Sequence, residues 1–243
     1  MNDRKPLVIL KTGRKIPSLA SIHGDYEDWI TVGMGWPVDA VRVLDASQES
    51  ALPHPGSVAG IAITGSGSMV TEQAEWMRRA ADWLADAVNR EVPVIGICFG
   101  HQLLAHALGG EVDYNPRGVE VGTVEVTMAE AAAHDPLFSV LPTRLWAQLS
   151  HRQSVRELPP GATLLGTSEM EPHQGFAFGG QAWGVQFHPE FDERIIPHFV
   201  EYYRDILGEQ SRSVDALKAA VQPAPESRLL LRRFAEIVRD GNR

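Results

Sequence analysis

The amino-acid sequence predicts an α/β fold with a mostly parallel sheet and a small antiparallel extension, and three observations carry that prediction. Four short apolar runs, Leu7 to Leu10, Val41 to Leu44, Gly60 to Thr64 and Val92 to Ile97, are unbroken rather than alternating, as in strands covered on both faces. Between the third and fourth runs, Met77, Ala80, Ala81, Leu84, Ala87 and Val88 recur at helical spacing until Pro93, which makes a strand, helix, strand unit. From Glu111 to Phe187 the texture changes to short alternating segments, VGTVEVT, LWAQLS, ATLLGTS, QGFAFGG and AWGVQF, which read as antiparallel strands along one edge.

Taken in order, the elements have local causes. HGDYEDW, His23 to Trp29, reads as the start of a helix capped by Asp25. Thr71 is the expected cap of the helix that carries Met77 to Val88. HQLLAHALGG, His101 to Gly110, reads as a helix stopped by its two final glycines. FDERIIPHFVEYYRDIL, Phe191 to Leu207, has a helical pattern between Pro189 and the tail. QPAPES breaks the chain before Leu229, Leu230, Arg233, Phe234, Ile237 and Val238, an amphipathic helix expected to pack back on the body. Trp76 and Trp83 are seven apart on one helix, a packing stripe.

The chain has 243 residues, 44% of them hydrophobic, enough to bury a substantial core as one large domain or two small ones. With no internal repeat or long low-complexity segment, one domain over residues 1–243 is expected, ending in a helical tail from about 208. A formal charge of −9 disfavours nucleic acid or an anionic membrane as principal partner. MNDRKPLVILKTGR lacks a signal-peptide h-region, and no run approaches the ~18 apolar residues of a membrane span. The expected location is the cytoplasm.

The single cysteine, Cys98, cannot form an internal disulfide, so it is either a buried small hydrophobe or a reagent. It lies in GICFGHQ, Gly96 to Gln102, where an apolar strand gives way to a helix. Gly-x-Cys-x-Gly has the local grammar of a nucleophile elbow. A helix start brings the dipole's positive end to the sulfur and aims N–H groups, beginning with that of Phe99, at an oxyanion. Attack by a thiolate needs a base held by a third group. Among nine histidines, His188 stands out at the end of the strand in AWGVQFHPEF, with Glu190 two residues on.

GICFGHQ and GVQFHPEF, 90 positions apart from Cys98 to His188, together resemble the two motifs of the triad-type, class I glutamine amidotransferases. ITGSGSMV, Ile63 to Val70, resembles the family's glycine-rich oxyanion loop. RGVEVGTVEV and SHRQSV resemble segments of its GMP-synthase-like branch, which includes stand-alone γ-glutamyl peptidases. The resemblance implies a flavodoxin-like, three-layer sandwich. It implies Cys98 as nucleophile on a γ-carboxamide, His188 as acid and then base, Glu190 as its orienter, a γ-glutamyl thioester, and no cofactor. The oxyanion would take the Phe99 N–H and an N–H of the Gly65 to Ser68 loop, from Gly67 or Ser68. Gln102, Gly65, Ser150 and His151 would line the substrate site. Where the branch has Ser-His-x-Asp, this chain has Gln153, which cannot supply an aspartate's charge.

Two enzyme readings remain open in the sequence: docking on a separate ammonia-accepting synthase, or hydrolysis of γ-glutamyl amides and peptides alone. A third is a non-catalytic module whose thiol senses oxidants. His101 and His106 are five apart with no further ligand, so no metal site is expected. TGSGS lacks the lysine of a phosphate loop.

Overall fold

The computed structural model describes residues 5–49 and 51–241. Met1 to Arg4, part of the N-terminal stretch read above, lie outside the described residues. Strands β1 (Leu7–Lys11), β2 (Val41–Asp45), β3 (Gly60–Ile63) and β4 (Val94–Ile97) alternate with helices α1 (Tyr26–Met34) and α2 (Glu75–Asn89). Helix α3 (Phe99–Ala107) follows β4 directly. Next come β5 (Glu111–Tyr114), β6 (Glu120–Met128), β7 (Arg144–His151), β8 (Gln153–Glu157), β9 (Thr163–Thr167), β10 (Gly175–Phe178) and β11 (Ala182–Val185). The chain ends in α4 (Ile196–Tyr202), α5 (Arg204–Glu209), α6 (Val214–Ala219) and α7 (Leu229–Gly241).

Nine strands form one sheet in the order β2-β1-β3-β4-β11-β10-β9-β6-β7. β2, β1, β3, β4 and β11 pair in parallel, and from β11 through β10, β9 and β6 to β7 every pairing is antiparallel. β5 and β8 make a separate antiparallel pair. The unbroken hydrophobicity of β1 now has a cause: Leu7 and Ile9 face a core shared with α1 and α7, while Val8 and Leu10 face one shared with α2 and α3. Helices thus cover both faces of the parallel strands, giving three layers. α7 turns Leu230, Leu231, Phe234, Ala235 and Val238 inward. A third cluster, with Phe191, Ile195, Phe199, Tyr203 and Leu207, lies beneath α4 and α5. No described helix is long and apolar enough to cross a membrane.

Asp25 caps α1 through a capping box with Asp28, as its position suggests. Two other expectations are corrected. Thr71 does not cap α2, whose first turn follows Ala74 without a side-chain cap. Its hydroxyl is taken instead by the Gln153 amide, 2.6 Å away and 82 residues on. The pattern from Phe191 to Leu207 is also not one helix. Pro197 sits in the first turn of α4, where its missing N–H costs nothing. Tyr203 then interrupts the helix at φ −94° and ψ 13° as its ring is buried.

Candidate active site

β4 ends at Ile97 and α3 begins at Phe99, so Cys98 alone makes the turn. It does so at φ 53° and ψ −105°, a conformation that costs an L residue about 1–3 kcal/mol. Its N–H is held by the Val185 carbonyl of β11 at 2.8 Å. Two glycines permit the turn. A Cβ on Gly96 would lie 2.3 Å from the Gly100 carbonyl oxygen, and one on Gly100 would lie 2.6 Å from that of Ile63. The thiol is thereby presented at the carboxyl edge of the parallel strands and at the start of α3, whose unpaired N–H groups favour negative charge.

Sheet adjacency brings His188 to the thiol. β11 pairs with β4 in the register Ile97↔Val185, and His188 lies just beyond that strand. Its Nδ1 is 2.7 Å from Glu190 Oε1, while the ring also hydrogen-bonds Cys98, which leaves Nε2 for the sulfur. The imidazole is clamped flat against Phe191, with ring centroids 3.9 Å apart and planes 7° apart, and Tyr26 of α1 stacks further off. Gly65 borders it on another side, where a Cβ would come within 3.0 Å of His188 Cε1. Burial opposes charge on this ring, but the Glu190 carboxylate and the Cys98 sulfur outweigh it and push the pKa up to about 10.

A cavity of about 330 Å³ opens beside Cys98. Of the residues singled out in the sequence, Gly67, Ser68, Phe99, Gln102, Ser150 and His151 line it, whereas Gly65, His188 and Glu190 stand behind the thiol. Within the loop after β3, the Ser68 N–H is spent on Ser66 Oγ at 3.1 Å. The Gly67 N–H has no hydrogen-bond partner among the described residues. Gln102 donates from Nε2 to the Gln153 carbonyl at 2.7 Å and to Gln186 Oε1 at 2.9 Å, so only its oxygen is available to the cavity. The Ser150 carbonyl lies 3.6 Å from Cys98 Sγ.

Sequence reasoning missed the partner of His151. Its Nε2 is 2.8 Å from Glu120 Oε2, and both side chains are buried. Glu120 also accepts from Gln174 Nε2 at 2.9 Å and from Ser168 Oγ at 2.6 Å. Burial disfavours charge on His151, yet the Glu120 carboxylate pushes its pKa up to about 9. Nothing in the sequence flags Glu120, because a carboxylate within an alternating strand reads as a solvent-facing position. His101 is buried as well, held low at about 3 mainly by desolvation, so it is neutral.

The family model for glutamine amidotransferase class-I matches residues 34–200. The chain belongs to the class-I glutamine amidotransferases. This amidotransferase is 29% identical over 238 residues to a glutamine amidotransferase-like protein of Schizosaccharomyces pombe, covering 90% of this chain and 92% of that one. It is 28% identical over 171 residues to γ-glutamyl peptidase 5 of Arabidopsis thaliana, covering 70% and 68%. A crystal structure of a glutamine amidotransferase from Methylobacillus flagellatus superposes with a TM-score of 0.71 at 25% identity, over 99% of this chain and 96% of that one.

Proposed function

We propose that this amidotransferase hydrolyses γ-glutamyl amides through a thioester on Cys98, working as a single domain. The reading is carried by one arrangement: an imidazole that hydrogen-bonds the sulfur and is held by Glu190 Oε1 at 2.7 Å. Cys98 attacks the γ-carbonyl carbon, and the oxyanion takes the Phe99 N–H, first of α3 and without an intrahelical partner. Gly67 supplies the second N–H, since that of Ser68 is engaged by Ser66. His188 Nε2 protonates the departing amine and then deprotonates the water that releases glutamate, while Glu190 holds the ring in the tautomer both steps require. Gln102 Oε1 and the wall at Ser150 and His151 hold the glutamyl part.

The kinship with a γ-glutamyl peptidase over most of both chains supports release of an amine without a second protein. Kinship with a glutamine-hydrolyzing GMP synthase of Methanopyrus kandleri, 35% identical over 129 residues, supports the alternative, delivery of ammonia to a separate synthase. Incubation of the purified chain with glutamine and with γ-glutamyl peptides, reading ammonia and glutamate release, separates them. Cys98-dependent turnover establishes hydrolysis without a partner. Silence on every substrate, with Cys98 still alkylated by a glutamine-like electrophile, points to a missing synthase. No turnover and no alkylation rejects the reading.

A further inference from the structure

The wall of the cavity beside Cys98 carries three ionisable side chains of interest, His151, Arg152 and Asp205. The charge on His151 is already matched by Glu120 at 2.8 Å. Arg152 is different. Its guanidinium lies over the ring of Tyr114, 5.3 Å from the centroid, and makes no ion pair or hydrogen bond among the described residues. Most arginines that this acidic chain buries or half-buries have found an oxygen: Arg79 takes the Ala46 and Glu49 carbonyls, and Arg212 takes that of Val119. An unmatched guanidinium on the wall of a cavity, in a chain of net charge −9, calls for an explanation from the cavity's occupant.

Its location is fixed by the backbone. Arg152 is the single residue between β7 and β8, and its carbonyl accepts from the Asn115 N–H at 2.8 Å. It stands two residues from Ser150, whose carbonyl is 3.6 Å from the sulfur. At a strand rise of about 3.3 Å per residue, an arginine side chain can span the distance back to a group bound at the thiol. Its charge is also felt at the buried Tyr203 hydroxyl across the cavity: burial pushes that pKa up to about 12, and Arg152 pulls against the rise. Asp205, on α5, is exposed and is not within ion-pairing distance of Arg152 among the described residues.

A planar guanidinium with its fork of donors unspent is suited to a carboxylate, which it binds through two parallel hydrogen bonds. Stacking on Tyr114 orients the fork in advance. We propose that Arg152 is the carboxylate-recognising residue of this cavity and selects γ-glutamyl amides by a carboxylate near the scissile bond. The inference rests on the hydrolase reading above and adds the group that sets substrate preference. Two carboxylates have the chemistry: the α-carboxylate of the glutamyl part, and the carboxylate of the amine released from a γ-glutamyl amino acid.

The test compares wild type, Arg152→Gln and Arg152→Lys on two substrates. γ-Glutamyl-p-nitroanilide carries the α-carboxylate alone, and γ-glutamyl-alanine carries both. Arg152→Gln is expected to raise KM about tenfold or more with kcat within about twofold, and Arg152→Lys to recover part of the loss, because it restores charge without the fork. A rise on both substrates assigns the α-carboxylate. A rise on γ-glutamyl-alanine alone assigns the carboxylate of the leaving amine. Unchanged KM on both substrates, or a loss confined to kcat, overturns the proposal while leaving the hydrolase reading intact. Wild-type silence on both substrates overturns the reading and this proposal with it.

Discussion

His188 and His151 are both buried, both hydrogen-bonded to a glutamate, at 2.7 and 2.8 Å, and both raised above the ordinary histidine pKa. Their surroundings differ. Glu120 is saturated, accepting from His151, Gln174 and Ser168. Glu190 accepts a side-chain bond from His188, and its Oε2 is buried without a partner. His151 has its second nitrogen tied to the Gln153 carbonyl at 2.8 Å, whereas the second nitrogen of His188 faces the thiol. A fully satisfied buried pair holds strands together, here β6 to the β7–β8 turn. A pair with spare capacity is set up to exchange a proton, since leaving a buried polar atom unpaired costs about 1–3 kcal/mol that the fold must offset elsewhere. Geometry of the pair alone does not separate the two roles; satisfaction of its outer atoms does.

Substitutions can break that contrast. The largest effect is expected for His188→Asn: kcat/KM for a γ-glutamyl amide falls by ~10³-fold or more, while the melting temperature moves by no more than about 2 °C. A collapse in melting temperature with specific activity preserved would reverse the assignment.

Glu120→Gln should do the opposite. It removes the counter-charge from a buried imidazolium, a change worth roughly 3–5 kcal/mol and so ~10 °C in melting temperature for a chain of this size. The sign of its pH dependence follows from the raised pKa. His151 contributes stability that is fully present below its unfolded value of about 6.5 and is lost as pH rises through about 9. The gap between wild type and Glu120→Gln, measured by denaturant unfolding, should therefore narrow between pH 7 and 10. A constant gap would show that His151 is uncharged in the folded protein.

A smaller loss, about 10²-fold in kcat/KM, is expected for Glu190→Gln, together with a change in the pH profile. The Glu190 carboxylate helps hold His188 at about 10, so the alkaline limb of kcat/KM should move to lower pH in the variant. An unmoved limb would mean that another group sets it. Phe191→Leu sharpens the contrast least: loss of a stacking partner worth about 0.5–1.5 kcal/mol should lower kcat by up to about tenfold, with KM nearly unchanged. A stability loss without a change in kcat would make Phe191 a core residue only.

The two pairs also differ in how legible they are in the sequence. His188 and Glu190 are two residues apart, Pro189 stiffens the link, and the imidazole follows an apolar strand, so their pairing is local and readable. His151 and Glu120 are 31 residues apart, joined by the β6–β7 ladder register Glu120↔His151, which nothing in either segment announces. Thr71 misleads for the same reason: its hydroxyl serves a partner 82 residues away rather than its own helix. The break at Tyr203 comes from burial of its ring under the third core, which helical periodicity along one segment does not report. Arg152 and Tyr203 become visible only as walls of one cavity.

Sequence alone determined the parallel half of the sheet, since apolar runs buried on both faces have no other stable setting, and it determined the cysteine turn, since Gly96 and Gly100 remove the side chains that the turn would crowd. Tertiary structure decided the rest. Insertion of β11 beside β4 set His188 at the thiol, and the antiparallel ladder buried Glu120 against His151. Both are consequences of strand register between distant segments, a long-range choice made by the packing of the whole sheet rather than by any local propensity.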